Sequence, residues 1–285
     1  MKKVIDRIES KEDRTVKLVL QSDNDFLEIS LIDKQDGKDI ICVPCQTGCR
    51  MGCRFCHLTE VPNKRPVRSL SKEEIADAVN FAIDQIPKRN PGLLVSYMGA
   101  GEPMLNVDGV TGSAKLISEN FSLWSTAVRF AVSTIIPKSS LLDSFTDKLK
   151  SSKLNFKLHW SLHSPDEDVR KSLIPNADSI ENSIKAIQRY KKETGNPVEV
   201  HYTLIDQVND SGTDATRLSE LAVGADLPVK ILRFNPKPGA DDLVRSKKEN
   251  DFAASLTDRH VKVEIYEPPG RDIGSSCGQF RLDYY

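Results

Sequence analysis

Five of the six cysteines in this 285-residue chain fall between Cys42 and Cys56. Whatever the fold, it must deliver one short, thiol-dense loop to one place. The inner three form Cys49-Arg-Met-Gly-Cys53-Arg-Phe-Cys56, a C-x3-C-x2-C run. Three thiolates at this spacing suit three irons of a 4Fe–4S cluster. The fourth iron then has no protein ligand and stays open to a small molecule. A disulfide framework fits less well. The chain begins MKKVIDRIESKEDR, without the apolar stretch of a secretory leader, so a cytoplasmic setting with reduced thiols is expected. Zinc is the stronger competitor, because Cys42-x2-Cys45 and Cys53-x2-Cys56 look like paired knuckles. However, only residues 46–52 separate the pairs, a zinc ribbon usually needs about 15–20, and Cys49 is left over.

Composition narrows the class. Charged residues make up 28% and hydrophobic ones 39%, ordinary values for a globular protein. No apolar run reaches the roughly 20 residues of a membrane span, so no membrane is expected. Net charge is −1 and the pI about 6.5, which excludes a globally basic nucleic-acid binder. Charge is uneven, though. Arg50, Arg54, Lys64, Arg65, Arg68 and Lys72 face a single acid, Glu60, in that stretch. A basic segment beside the cysteines suits contact with phosphates; otherwise it is a solvated loop.

Strands and helices alternate along the chain. Val16–Leu20 and Phe26–Ile32 flank Ser-Asp-Asn-Asp and read as a small hairpin. Asp39–Val43 is a short apolar strand running into the cysteine loop. Ser71 and Glu74 have capping-box spacing before a helical pattern through Ala82. Leu93–Tyr97 is a buried strand ending in Gly99-Ala100-Gly101. Apolar strands follow at Val128–Ser133, Phe156–Leu162, Val198–Ile205, Val229–Phe234 and Val261–Tyr266. Helical stretches lie near 138–149, 178–192, 213–223 and 247–256. This alternation predicts α/β architecture with a parallel sheet, as a partial (β/α)6 barrel. Functional residues then belong at strand C-terminal ends: Gly101-Glu102-Pro103, Ser133, Ser161-Leu162-His163, Asn209 and Asn235.

The C-x3-C-x2-C run with an aromatic before its last cysteine is the signature of radical S-adenosyl-L-methionine (SAM) enzymes. The strand ends narrow the resemblance. In order, the chain carries Phe26-Leu27-Glu28, Cys42-Val43-Pro44-Cys45-Gln46-Thr47-Gly48-Cys49 and Gly99-Ala100-Gly101-Glu102-Pro103-Met104-Leu105-Asn106. Val132-Ser133-Thr134-Ile135-Ile136-Pro137, Trp160-Ser161-Leu162-His163-Ser164-Pro165 and Leu204-Ile205-Asp206-Gln207-Val208-Asn209-Asp210 follow. Phe234-Asn235-Pro236-Lys237-Pro238-Gly239 and Ser276-Cys277-Gly278-Gln279 complete the series. This set resembles the radical-SAM adenine-carbon-2 methyltransferases of rRNA and tRNA, with their carbon-8 relatives.

That resemblance implies a radical-SAM barrel over residues 37–267, a β-hairpin extension over 1–36 and a loop carrying Cys277 over 268–285. It implies a 4Fe–4S cluster on Cys49, Cys53 and Cys56. SAM contacts carry over to Gly101, Glu102, Ser133, Ser161, Leu162, His163 and Asn235. The resemblance also implies two SAM molecules per turnover, used as follows. The first methylates Cys277. Hydrogen abstraction from that S-methyl group, by a radical from the second, lets its carbon add to the adenine. Carbon 2 of adenine is electron-poor and no nucleophile, which is why a radical route is needed. Cys42 then releases the product by thiol–disulfide exchange, and Glu28 is the proton acceptor. The implied partners are rRNA or tRNA and an electron donor such as a flavodoxin-type reductant, with the protein a monomer.

Each assignment has a plainer reading. Cys277 alone is a small buried hydrophobe, although Pro268–Gly278 looks like a mobile functional loop. Cys42 suits a buried strand end, and Glu28 an exposed strand carboxylate. Gly101 suits a tight turn and His163 a loop filler. His57 and His159 match nothing in the family and read as structural. Larger family members carry an N-terminal helical domain, so a compact form is expected here. Cys45 replaces a small polar residue, and His57-Leu58-Thr59 replaces a small polar run. The competing functions are a radical-SAM enzyme with a non-RNA substrate and a zinc-stabilised RNA-binding module.

Overall fold

The computed structural model describes residues 3–22, 25–33, 37–86, 90–122, 127–152, 154–236 and 242–284. The turn residues 23–24 and Lys237–Gly239 of the Asn235 motif lie outside them.

The chain opens with β1 (Lys3–Glu9), β2 (Thr15–Ser22), β3 (Asp25–Asp33) and β4 (Lys38–Cys42). The cysteine loop follows, with a short α1 (Val61–Lys64). Then come α2 (Lys72–Asp84), β5 (Gly92–Tyr97), α3 (Val107–Ser122), β6 (Ala127–Thr134), α4 (Ser139–Ser152) and β7 (Phe156–Ser161). The chain continues through α5 (Glu167–Leu173), α6 (Ile180–Thr194), β8 (Val198–Leu204), α7 (Gly212–Ala225), β9 (Val229–Arg233), α8 (Glu249–Thr257) and β10 (Val263–Tyr266).

All ten strands form one sheet in sequence order. Pairing is antiparallel from β1 to β4 and parallel from β4 to β10. Six βα units therefore follow one another before β10, which is the partial (β/α)6 barrel with an N-terminal β extension. The extension has three strands rather than two. β1 reads KVIDRIE with burial alternating between exposed and half-buried, so it buries too little to announce itself.

Local chemistry sets the elements. Ser71 accepts from Glu74 N and Glu74 accepts from Ser71 N, a complete capping box on α2. β8 is buried at every position, as expected for a strand covered on both faces. Phe156 sits at the centre of an aromatic cluster, with ring centroids of Phe130, Phe145 and Tyr97 at 5.1, 5.3 and 5.7 Å.

The inner face of the sheet is different. Lys17, Glu28, Ser30, Cys42, Ser96, His159, His201 and Lys230 line a cavity of about 1110 Å3 inside the barrel. The segment after β10 crosses back to the N-terminal strands. Gly270 N donates to Asp13 at 2.7 Å, Ser10 Oγ to Asp272 at 2.7 Å, and Ser30 and Ser275 share a hydrogen bond of 2.9 Å. The C-terminal segment thus joins the two ends of the sheet and walls the cavity. Among the described residues no helix is long and apolar enough to cross a membrane.

Candidate active site

The loop after β4 carries Cys49, Cys53 and Cys56. Backbone bonds pin its start to the turn after β5: Cys45 N and Gln46 N both donate to Ala100 O, at 2.8 and 3.1 Å. Its far side is held by Arg54 N to Leu173 O at 2.9 Å and by Asn176 Nδ2 to Met51 O at 3.1 Å. The three thiols are half-buried, and none of the six cysteines is in a disulfide. Burial pushes the Cys49 thiol up to about 12, and the nearby Cys56 sulfur adds to it. Cys53 is raised by burial and then by Cys56 and Cys49. Three crowded thiols, two of which resist ionising alone, are the donor set a thiophilic cluster takes up, because metal replaces the proton. These residues fit a 4Fe–4S cluster.

The strand ends lie beside this loop. Gly101 has φ +107, which side chains rarely tolerate, and a Cβ there would meet Gln46 Cβ at 2.7 Å and Cys45 Sγ at 2.8 Å. That tight turn aims Glu102 inward. The Glu102 carboxylate accepts from Met104 N at 3.0 Å, Thr134 Oγ1 at 2.5 Å and Ile135 N at 3.1 Å. Burial nonetheless pushes its pKa up to about 7, against these bonds. A buried carboxylate this costly to ionise fits a cationic ligand such as an ammonium.

Ser133, the penultimate residue of β6, lies beside Ser161 at the end of β7, with their hydroxyls 3.0 Å apart. Leu162 N donates to His201 O at 3.1 Å. His163 is left-handed at φ 59, and its Nδ1 accepts from Thr203 N at 3.0 Å. Burial pushes His163 down to about 3, so the ring is neutral and that hydrogen bond places its proton on Nε2. Its ring stands edge-on to Phe55 of the cysteine loop, 4.8 Å away. Asn235, past β9, donates to Cys277 O at 3.4 Å. Asn209 is different: it bonds Ile205 N, His163 O and Thr203 O, and so braces the loop from within.

Cys42 is the last residue of β4, and Cys277 lines the same cavity from the C-terminal segment. Burial pushes the Cys42 thiol up to about 12, Cys277 adds to this, and Lys17 opposes it. Cys277 is exposed, but into the cavity, where surrounding chain still raises its pKa. Glu28 is 4% exposed, so it is no solvent-facing strand carboxylate. Its partner is Lys17, which sequence reasoning passed over. His57, read as structural, accepts from Phe280 N at 3.1 Å and ties the cysteine loop to the Cys277 segment.

The basic stretch is largely engaged within the chain. Arg68 pairs with Asp25 and Glu74, Arg54 with Asp242, Arg65 with Thr47 O and Arg50 with Val67 O.

Comparison with known proteins gives a consistent picture. The model of the Radical SAM superfamily matches residues 43–218. A probable dual-specificity RNA methyltransferase RlmN from Lachnoclostridium phytofermentans is 33% identical over 287 residues, covering 98% of this chain and 77% of the relative. The ribosomal RNA large subunit methyltransferase N of Nitrosopumilus maritimus is 31% identical, covering 99% and 81%. Among solved structures, a radical SAM methyltransferase from Sphaerobacter thermophilus superposes with a TM-score of 0.86 at 29% identity, over 98% of this chain and 81% of that one.

Proposed function

Since the chain belongs to the Radical SAM superfamily and, within it, to the RlmN dual-specificity RNA methyltransferases, we propose that it methylates an adenine carbon of RNA, carbon 2. The observation that carries this reading is the pairing of Cys42 and Cys277 in one cavity beside the strand-end site. Most radical-SAM chemistry needs neither thiol; transfer through a methylated cysteine needs both.

Cys49, Cys53 and Cys56 would hold the cluster, which when bound would supply the electron for SAM cleavage. Glu102 takes the methionine ammonium. Gly101, Ser133, Ser161, Leu162, His163 and Asn235 position the rest of SAM. Cys277 receives a methyl group on sulfur from the first SAM, gives up one of its hydrogen atoms to the radical derived from the second SAM, and adds the resulting carbon radical to the base. Asn235 holds the Cys277 carbonyl, so the SAM site and the carrier loop are mechanically joined. Glu28 takes a proton from the modified base. Cys42 then attacks the Cys277 sulfur, the sulfur–carbon bond breaks, and the carbon leaves with a proton as the product methyl group.

In this reading residues 37–267 are the catalytic barrel, 1–36 its β extension and 268–285 the carrier segment. The substrate is rRNA or tRNA, the electron donor a flavodoxin-type reductant, the working unit a cytoplasmic monomer. The direct test is mass spectrometry of nucleosides from RNA incubated with the reconstituted protein, SAM and a reductant. The expected product is 2-methyladenosine. Its absence, together with SAM cleavage that RNA does not stimulate, overturns the reading.

A further inference from the structure

Inside the barrel, below the strand ends, lies a second cluster that the proposed reaction does not use. His159 on β7 sits in register beside Glu199 on β8, and His201 is two residues further along β8. All three are buried. His159 Nδ1 lies 3.2 Å and His201 Nε2 3.5 Å from the same oxygen, Glu199 Oε1. Neither nitrogen makes a hydrogen bond of acceptable geometry, although each is buried, and the oxygen is met by the Lys230 ammonium at 3.2 Å. One orphaned buried polar atom costs about 1–3 kcal/mol; two imidazole nitrogens aimed at one carboxylate oxygen ask for a common partner.

The spacing identifies the partner. Zinc binds histidine nitrogen and carboxylate oxygen at about 2.0–2.2 Å in a tetrahedron, so neighbouring ligand atoms sit about 3.4 Å apart. The two measured separations bracket that value, and all three atoms lie within 4.8 Å of one another. His159 and His201 also line the cavity, which leaves a fourth position facing it.

Two lysines complete the surroundings. Lys157 Nζ bonds the other carboxylate oxygen, Glu199 Oε2, at 2.8 Å and orients the group. Lys230 Nζ lies 3.2 Å from Glu199 Oε1 and 3.2 Å from Glu264. It competes with an incoming cation for Oε1 and has Glu264 to retire to.

We propose that His159, Glu199 and His201 form a three-ligand site for a divalent cation of the zinc class, with its open position toward the barrel cavity. The site stands apart from the cluster cysteines and does not depend on the methyltransfer reading.

The test uses Co2+ on the cluster-loaded protein, with the cluster in its diamagnetic resting state, so that high-spin Co2+ is read by electron paramagnetic resonance and iron by elemental analysis. One Co2+ per chain is expected at sub-millimolar concentration without loss of iron. His201→Ala and Glu199→Gln should weaken it at least about tenfold. Lys230→Met should tighten it about tenfold, because the competing ammonium is gone. Absence of a Co2+ signal overturns the proposal. So does binding that ignores His201 and Glu199, or binding that expels iron. Should the His201 variant fail to fold, Lys230→Met decides alone: unchanged or weaker affinity overturns the site.

Discussion

Lys17 and Glu28 form a buried ion pair, and each also holds one flank of the segment that carries Cys277. Their side chains are 2% and 3% exposed. Lys17 Nζ donates to Gly274 O at 2.5 Å, while Glu28 Oε1 accepts from Arg281 N at 2.9 Å. Lys17 faces Ser30 across β2 and β3, so Glu28, two residues earlier on β3, lies diagonally on the same inner face. Removing one member leaves a buried charge alone, which costs roughly 3–5 kcal/mol. Lys17→Met should lose stability on that scale and speed hydrogen exchange from Gly274 to Arg281. Denaturant unfolding and exchange mass spectrometry check this; a variant as stable as wild type, with a protected segment, would show that the pair is not the clasp.

Glu28→Gln keeps the side chain's shape and its acceptor for Arg281 N. Methyl transfer to RNA should fall by about 10²-fold or more, the range for a lost proton-transfer group. Cluster content and methylation of Cys277 should be untouched, since both precede proton removal. Wild-type turnover in this variant would remove Glu28 from the reaction.

Glu102 makes ligand-free stability depend on pH. Its folded pKa is about 7 against an ordinary 4.5. The folded state therefore keeps a proton that the unfolded chain gives up between these values. The stabilising contribution is complete below about 4.5 and lost as pH rises through 7, a swing of roughly 3 kcal/mol. Glu102→Gln should abolish that slope. SAM affinity should run the other way, rising about tenfold per unit up to pH 7 and levelling above it, because only the carboxylate pairs with an ammonium. Unfolding curves and calorimetric titrations on either side of pH 7 measure the two trends; parallel curves for wild type and variant would place the titration elsewhere.

The strands of the barrel were legible because they are short apolar runs, and the strand-end residues because a barrel gathers function there. What was missed has physical causes. α3 went unread because Gly109 and Gly112 weaken helical propensity. A Cβ on Gly109 would meet Asn106 Nδ2 at 2.5 Å and Leu70 O at 2.7 Å, so packing requires the glycine. Lys17 carries no local mark of its role, because nothing in its own strand reveals that the C-terminal segment covers it. His159 reads as structural in the sequence because its partners lie on the next strand, and only register unites them.

RNA affinity should be salt-dependent but less steeply than the basic stretch alone implies. Arg68 and Arg54 already answer Asp25, Glu74 and Asp242. Lys64 is exposed, and Lys64→Ala should flatten the slope of log affinity against log salt by about one unit. Arg68→Ala should leave the slope alone and cost at most about 1 kcal/mol of stability. Equal binding at low and high salt in the wild type would argue against RNA phosphates as contacts.

The two cavity thiols have different tasks and should fail differently. Cys277 sits on a segment held by a few bonds to β2, β3 and the cysteine loop, whereas Cys42 is fixed at the end of β4. Cys277→Ala should eliminate methyl transfer, since no sulfur remains to carry the carbon. Cys42→Ala should trap a covalent protein–RNA adduct, because nothing is left to attack the Cys277 sulfur. An RNase-sensitive band on a denaturing gel shows it. The pH dependence sharpens the test. With the Cys42 thiol pushed up to about 12, its thiolate fraction near neutrality is small and grows tenfold per pH unit. Adduct resolution in the wild type should therefore quicken with pH and stall as pH falls, accumulating the same band. Lys17→Met should slow it further, because Lys17 opposes the rise of the Cys42 pKa. Normal turnover in Cys42→Ala, or an adduct whose decay ignores pH, would rule out release by thiol exchange.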